Sequence, residues 1–454
     1  MNKGGFCARG GVARAALRAI RPAAVHGEVA GVTGNSIRIA GLSGLASVGG
    51  SVAFTGDARR TTAEIVGFSG SYALALARDD PGGLVAGTPA ELVGARTALS
   101  VSDGWLGRVV DPLGRPLDGL GPLPAGTGAQ PLRASPPPAA TRARLGPRVD
   151  LGVRVLDLFA PCRAGQRLGL FAGSGIGKST LLAMLARGVA CDVVVLALVG
   201  ERGREVREFL EDDLGPDGRA RAVTVIATSD ASPLLRRDAA LAGMAIAEHF
   251  RDRGKHVLLL MDSVTRFCAA LREIGLASGE PPTTRGYPPS VFSELPRLLE
   301  RAGPGVDAPG AGTITALFTV LVDGDDHDEP VADATRGILD GHVVLDRRIG
   351  EGGRYPAVDV LRSLSRTAPG CLPEAAARDV GAARAALARA ASLADLVRLG
   401  AYAAGSDPAA DRALVLAPGI EALLAQSKHE NSGALDAFAA LARLMAPGSA
   451  RVTA

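Results

Sequence analysis

One stretch combines residue types and spacing suited to phosphate chemistry: Ala172-Gly173-Ser174-Gly175-Ile176-Gly177-Lys178-Ser179-Thr180. The apolar run Leu168 to Phe171 leads into it, and the helix-forming run Leu181 to Arg187 follows. Strand, glycine-rich turn and helix is the context a phosphate-binding loop requires. Glycines let backbone N–H groups turn inward around an anion, and the new helix adds free N–H groups and a positive dipole end. On this reading Gly173, Ser174, Gly175, Ile176, Gly177, Lys178, Ser179 and Thr180 bind a nucleotide, ATP, by its phosphates. Lys178 supplies a point charge for the β- and γ-phosphates, and Ser179 a hydroxyl for Mg²⁺. The pattern usually opens on glycine, where this chain has Ala172. Lysine is scarce here, the others being Lys3, Lys255 and Lys428, so a lysine in a glycine-rich turn is poorly explained by chance.

Other residues complete a hydrolytic set. Val257 to Met261 is an apolar run ending in Asp262, a carboxylate suited to the Mg²⁺ shell. Gly200-Glu201-Arg202 follows another apolar run, and Glu201 at its tip can orient water in line with the γ-phosphate. A surface ion pair within the helix start, such as Glu201 with Arg204, is the ordinary alternative. Arg202, Arg266 and Arg366 can each neutralise charge developing on the γ-phosphate; surface ion pairing is again the alternative. Arg266 lies four residues past Asp262 and can fold back over the same site. Arg366 lies far along the chain and, in a ring, can reach a neighbour's nucleotide. Tyr355, one of four tyrosines, can stack on adenine or belong to a core.

These residues need a frame. Leu168–Phe171, Val193–Val199, Val223–Ala227, Val257–Met261 and Thr313–Val320 read as strands, with helices between them, notably Pro233–Asp252. That alternation gives a parallel sheet covered on both faces, with ligands at the strand C-termini. Residues 25–95 read as short glycine-broken strands, including Ile37 and Ile39, Val52 to Phe54, Glu64 to Val66 and Tyr72 to Leu76, which suggest a small β-barrel. Residues 370–454 have helical spacing from Pro373 to Leu399 and from Pro408 to Leu444, a helical bundle. The fold class is therefore α/β. The divisions are an arm over 1–24, the barrel over 25–95, a nucleotide-binding domain over 96–369 and the bundle over 370–454. In the arm, Val12 to Ile20 reads either as a short basic amphipathic helix or as part of a disordered tail.

The 454 residues are 47% hydrophobic and 21% charged, with a formal net charge of +3. That balance does not argue for a nucleic-acid partner. Cys7, Cys162, Cys191, Cys268 and Cys371 show no metal-ligand spacing and read as reduced cytoplasmic thiols. His249 and His256 read as surface residues. No cleavable signal and no uninterrupted bilayer-spanning run is seen.

The phosphate loop, Gly200-Glu201-Arg202, Asp262, Arg266 and Tyr355-Pro356-Ala357-Val358 together resemble the hexameric rotary-type ATPases. That family includes the catalytic subunit of ATP synthase and the type III secretion ATPases. The resemblance covers roughly residues 25–370, and the C-terminal bundle more weakly. The flagellar export branch is the most similar, on Ala227 to Arg237, Pro281 to Phe292, Gly324 to Pro330 and Arg347 to Arg366.

The resemblance implies a RecA-like ATPase domain, with Glu201 as the catalytic carboxylate and Tyr355 stacking on adenine. Arg366 crosses to the neighbouring site in a homohexamer. It implies a cytoplasmic protein, peripheral at the base of an export apparatus, whose partners are a stator-like regulator, a central stalk protein, the export gate, and chaperones with their substrates. Membrane contact comes only through those partners. A virulence secretion ATPase and a rotary ATP synthase subunit are alternatives. A hexameric termination-type helicase is disfavoured, because residues 25–95 offer only Phe54, Phe68 and Tyr72 for stacking and no dense basic run. A ring subunit that binds ATP without hydrolysing it is disfavoured by the presence of Glu201.

Overall fold

The computed structural model describes residues 25–55, 61–94, 97–173, 175–322 and 329–446. The arm, Cys7, Ser174 and residues 323–328 lie outside them. Two compact units divide at Thr97 and Ala98.

In the first unit, six strands close a barrel in the order β1-β2-β5-β4-β3-β6. They are β1 (His26–Thr33), β2 (Ser36–Ala40), β3 (Ser51–Phe54), β4 (Thr62–Ser69), β5 (Tyr72–Ala77) and β6 (Pro89–Gly94). All pairs are antiparallel, and alternate residues such as Ile37, Ile39, Val52, Phe54, Ile65 and Ala73 fill the interior. Closure removes the exposed strand edges that short sheets otherwise present.

The second unit is built on one sheet with strand order β14-β13-β8-β12-β11-β9-β10-β7. These strands are β7 (Val109–Val110), β8 (Arg167–Ala172), β9 (Val193–Glu201), β10 (Ala222–Thr228), β11 (His256–Asp262), β12 (Thr313–Leu321), β13 (Gly341–Leu345) and β14 (Val358–Ser365). Strands β7 to β13 run parallel, and β14 pairs antiparallel with β13 at the edge. The central strands are almost wholly apolar because both faces are covered. Their residues divide with period two: Val193, Val195, Ala197 and Val199 face one core, and Val194, Leu196 and Leu198 face the other.

The first of these cores is closed by α4 (Pro233–Arg251), α5 (Val264–Ala277) and α6 (Pro289–Leu299). Ser232 caps α4, its hydroxyl accepting from the Leu235 N–H at 3.3 Å, and Pro233 opens the helix where its missing N–H costs nothing. The opposite core holds α1 (Arg154–Phe159) and α2 (Lys178–Gly188). The C-terminal helices α8 (Glu374–Arg398), α9 (Pro408–Leu424) and α10 (Ala434–Met445) also contribute to it. Val380, Ala383, Leu416, Ile420 and Phe438 thus share one core with Leu168 and Leu258. Two shorter helices matter below: α3 (Gly203–Glu208) and α7 (Pro330–Ile338).

The structure departs from the sequence reading in three places. The run Pro408 to Leu444 is two helices, because the polar segment after Leu424 cannot be buried as helix. Strands β13 and β14 extend the sheet beyond the five expected. His249 and His256 are half-buried rather than surface residues: His256 opens β11, and its Nε2 lies 2.8 Å from Thr315 Oγ1.

Asp157 in α1 is fully buried at 0% exposure. Its Oδ1 accepts from the Leu151 N–H at 2.9 Å and from Arg148 at 3.2 Å, while Oδ2 has no hydrogen-bond partner. Burial pushes this carboxyl up to about 7, against the pull of Leu151 and Arg148. The proton is held more tightly in the folded than in the unfolded chain, so the stabilisation is complete below the unfolded value. It is lost as pH rises to about 7. Relative to wild type, Asp157→Asn therefore becomes progressively more stable between pH 4 and pH 8, by at most about 4 kcal/mol. Thermal melts of both proteins across that range measure the difference; a constant offset would overturn it.

Candidate active site

The chain places its chemistry where a parallel sheet ends. β8 runs into the glycine loop, and α2 starts at Lys178 with Gly177 as its cap. Gly177 has φ +85°, a conformation that favours glycine, and the Tyr355 ring lies in contact distance of where a Cβ would sit. Glu201 ends β9 and Asp262 ends β11, the strand beside it.

These three side chains converge. Lys178 Nζ forms a close ion pair with Asp262 and lies 3.5 Å from Glu201 Oε1. Thr319 of β12 donates to Asp262 Oδ1 at 2.6 Å, the same oxygen that meets Lys178. A cavity of about 20 Å³, enough for one water, lies among Ser179, Glu201 and Asp262, with Leu198, Val206 and Phe209 forming its apolar wall. Burial raises the affinity of Glu201 for a proton, and the negative charge of Asp262 adds to that, with Lys178 opposing both. A carboxylate so raised is a stronger base at neutral pH than an ordinary glutamate.

Ser179 and Asp262 are hard oxygen donors facing one cavity, the donor chemistry Mg²⁺ takes. The residues therefore fit that ion. Thr180 follows in the first turn of α2, and Ile176 is buried.

The expected arginines are placed differently from one another. Arg266 lies in the first turn of α5, its N–H donating to Ser263 Oγ at 3.2 Å. A Cβ on Gly200, where φ is +72°, would meet the Arg266 side chain at 3.2–3.4 Å. The Arg266 stem thus lies against the residue before Glu201. Arg202 caps α3 with its side chain 73% exposed, pairing with Glu205 at 3.0 Å, outside the cluster.

Arg366 is far from Lys178 of the same chain. Its N–H donates to Asp340 O at 3.0 Å, and the Asp340 carboxylate accepts from the Arg167 N–H at 3.0 Å, at the start of β8. The glycine loop leaves the other end of β8, five residue steps away, roughly 17 Å along the strand. The Arg366 backbone therefore lies at the opposite end of the parallel strands, and its side chain is exposed. Tyr355, 48% exposed, stands at the loop end over Gly177.

Sequence reasoning missed Thr319 and the apolar wall of Val206 and Phe209. A threonine near the C-terminal end of β12, next to the strand that ends in Asp262, was the available signal.

Comparison with known proteins agrees with this geometry. Residues 152–365 match the nucleotide-binding domain of the ATP synthase alpha/beta family. Residues 372–443 match the C-terminal domain of the type III secretion ATPase EscN, in the region where the sequence resemblance was weaker. The flagellum-specific ATP synthase of Caulobacter vibrioides is 51% identical over 95% of this chain and 98% of that protein. The assembled ATPase EscN from the type III secretion system of enteropathogenic E. coli superposes with a TM-score of 0.85 at 37% identity, covering 92% of this chain and 100% of that one. EscN in complex with its central stalk EscO gives 0.84 at 38% identity and the same coverage. With its phosphate loop and two strand-end carboxylates gathered on one lysine, and with a relative matched over nearly its whole length, this chain belongs to the ATP synthase alpha/beta family and is an ATPase.

Proposed function

We propose that this chain hydrolyses ATP as one member of a homohexameric ring and uses the cycle to drive protein export through a flagellar type III apparatus. The carrying observation is the Lys178 ammonium held between Glu201 and Asp262 at the C-terminal edge of the sheet. Phosphate oxygens compete for that ammonium. Glu201 then takes a proton from water poised in the small cavity, and Lys178 neutralises charge on the phosphates. Gly173, Ser174, Gly175, Ile176, Gly177 and Thr180 cradle those phosphates. Ser179 and Asp262 hold Mg²⁺, which neutralises charge on the β- and γ-oxygens when bound.

Arg366 completes a neighbour's site, which its position at the far end of the parallel strands favours. Arg266 lies close enough to Glu201 to follow its state, and Tyr355 stacks on adenine. Arg202, exposed and paired with Glu205, is the least supported of the catalytic assignments.

The working organisation remains an arm over 1–24, a barrel over 25–95, an ATPase domain over 96–369 and a helical region over 370–454. The arm meets a stator-like regulator. A central stalk protein, as EscO is for EscN, fits the ring. The export gate, chaperones and their substrates act with the helical region. No helix among the described residues is long and apolar enough to cross a membrane. That suits a cytoplasmic protein peripheral at the base of the apparatus, reaching the membrane through its partners.

The flagellar assignment is tested in a strain lacking the gene. Filament protein export and motility are lost there and return with the wild-type gene but not with Glu201→Gln. Normal filaments without the gene would overturn the flagellar role and favour virulence secretion, as in the EscN system.

A further inference from the structure

Gln426 follows the end of α9 and is 5% exposed. Its backbone N–H donates to the Tyr355 carbonyl at 2.8 Å. Its side-chain amide donates to Gly152 O at 2.8 Å and to Glu430 O at 2.9 Å, and accepts from the Arg154 N–H at 2.9 Å. Arg154 in turn donates to Leu423 O at 2.8 Å and to Ala425 O, carbonyls at the end of α9. The buried side-chain amide therefore ties the start of α1 to the turn after α9, and the backbone N–H of the same residue joins that turn to the segment carrying Tyr355.

That segment has a second tie to the same helix. Arg354 donates to Pro356 O at 2.9 Å and to Val358 O at 2.8 Å, and pairs with Glu421 of α9 at 2.5 Å. The Tyr355 ring itself is half exposed and lies on Gly177. The ring also lies against Gly350, and the backbone that carries it is held by Gln426 and Arg354.

We propose that Gln426 is a positioning residue for Tyr355, holding the ring in the orientation that receives the nucleotide base and linking that ring to the C-terminal helices. The proposal rests on the reading of Tyr355 as a base-stacking residue. A residue acting this way affects ligands that carry a base and leaves the phosphate cradle unchanged. Loss of a buried, fully bonded amide is otherwise a general structural injury, which affects all ligands alike.

The test is calorimetric binding of ATP and of inorganic tripolyphosphate, which has no base, to the full-length protein. Tyr355→Ala weakens ATP binding about tenfold and leaves tripolyphosphate unchanged. Gln426→Ala weakens ATP about three- to tenfold, also without effect on tripolyphosphate, and adds less than about twofold when Tyr355 is already Ala. Gln426→Met, which keeps the side-chain length and removes only the amide, shows the same selectivity and serves if the alanine variant does not fold. If Tyr355→Ala is selective for ATP and both Gln426 variants weaken the two ligands equally, the proposal is overturned and the stacking reading stands. Full additivity of Gln426→Ala and Tyr355→Ala overturns it as well. If Tyr355→Ala leaves ATP binding unchanged, the stacking reading falls and the proposal with it.

Discussion

Glu201→Gln binds ATP and fails to turn it over. Amide and carboxylate have the same shape, so the Lys178 site and the glycine loop are kept, and the ATP dissociation constant stays within roughly twofold. An amide cannot take a proton from water, and kcat falls by about 10²–10⁴. Both quantities come from steady-state phosphate release and equilibrium binding on one preparation. The wild-type pH profile carries the same signature. Burial and Asp262 raise the Glu201 carboxyl, so its base form is lost on acidification at a higher pH than an exposed glutamate's would be. The acid limb of the wild-type profile therefore lies above the ordinary carboxylate range. Glu201→Gln retaining substantial turnover would remove Glu201 from the chemistry. The base would then be sought elsewhere around the cavity, where Glu205 and Asp262 are the other acids on the lining.

Arg366→Ala falls by about 10³ or more in kcat at saturating ATP, the range seen when an arginine is withdrawn from a developing phosphoryl charge. Its decisive form is a mixing experiment. β8 puts Lys178 and the Arg366 backbone at opposite ends of the parallel strands. In a ring, Arg366 of one chain then serves the site that carries Glu201 of the next. Glu201→Gln chains retain a working Arg366, and Arg366→Ala chains retain a working Glu201. Neither hydrolyses alone; co-assembled, some interfaces hold one intact copy of each and activity returns. If both residues served a site within one chain, the mixture would stay inactive, and the shared-site arrangement would fail.

The central strands were legible because a sheet covered on both faces must be apolar at every position, as in Val193 to Val199. β13 and β14 were not. β14 lies at the sheet edge, where exposed Arg362 and Leu364 interrupt the pattern, and β13 is only five residues long. The cluster itself was largely readable, since Lys178, Glu201 and Asp262 each end or follow an apolar run. What separates Arg202 from Arg266 was not readable. Both lie near strand ends in sequence, and only the close approach of the Arg266 stem to Gly200 sets them apart. Gln426 was hidden for a different reason. Its segment falls inside the run Pro408 to Leu444 that reads as helix, and its partners Gly152, Arg154 and Tyr355 are distant in sequence.

Helices α8 to α10 bury Val380, Leu416, Ile420 and Phe438 in the same core as the strand feeding the glycine loop. In engineering terms the C-terminal region is no exchangeable cartridge. Grafting it from a relative with different cargo would import a foreign half of a jigsaw, and the misfit would reach the fuel site before any specificity was gained. Change that leaves the core intact is thus confined to the outward faces of those helices, with their inward faces bound to change together with the sheet.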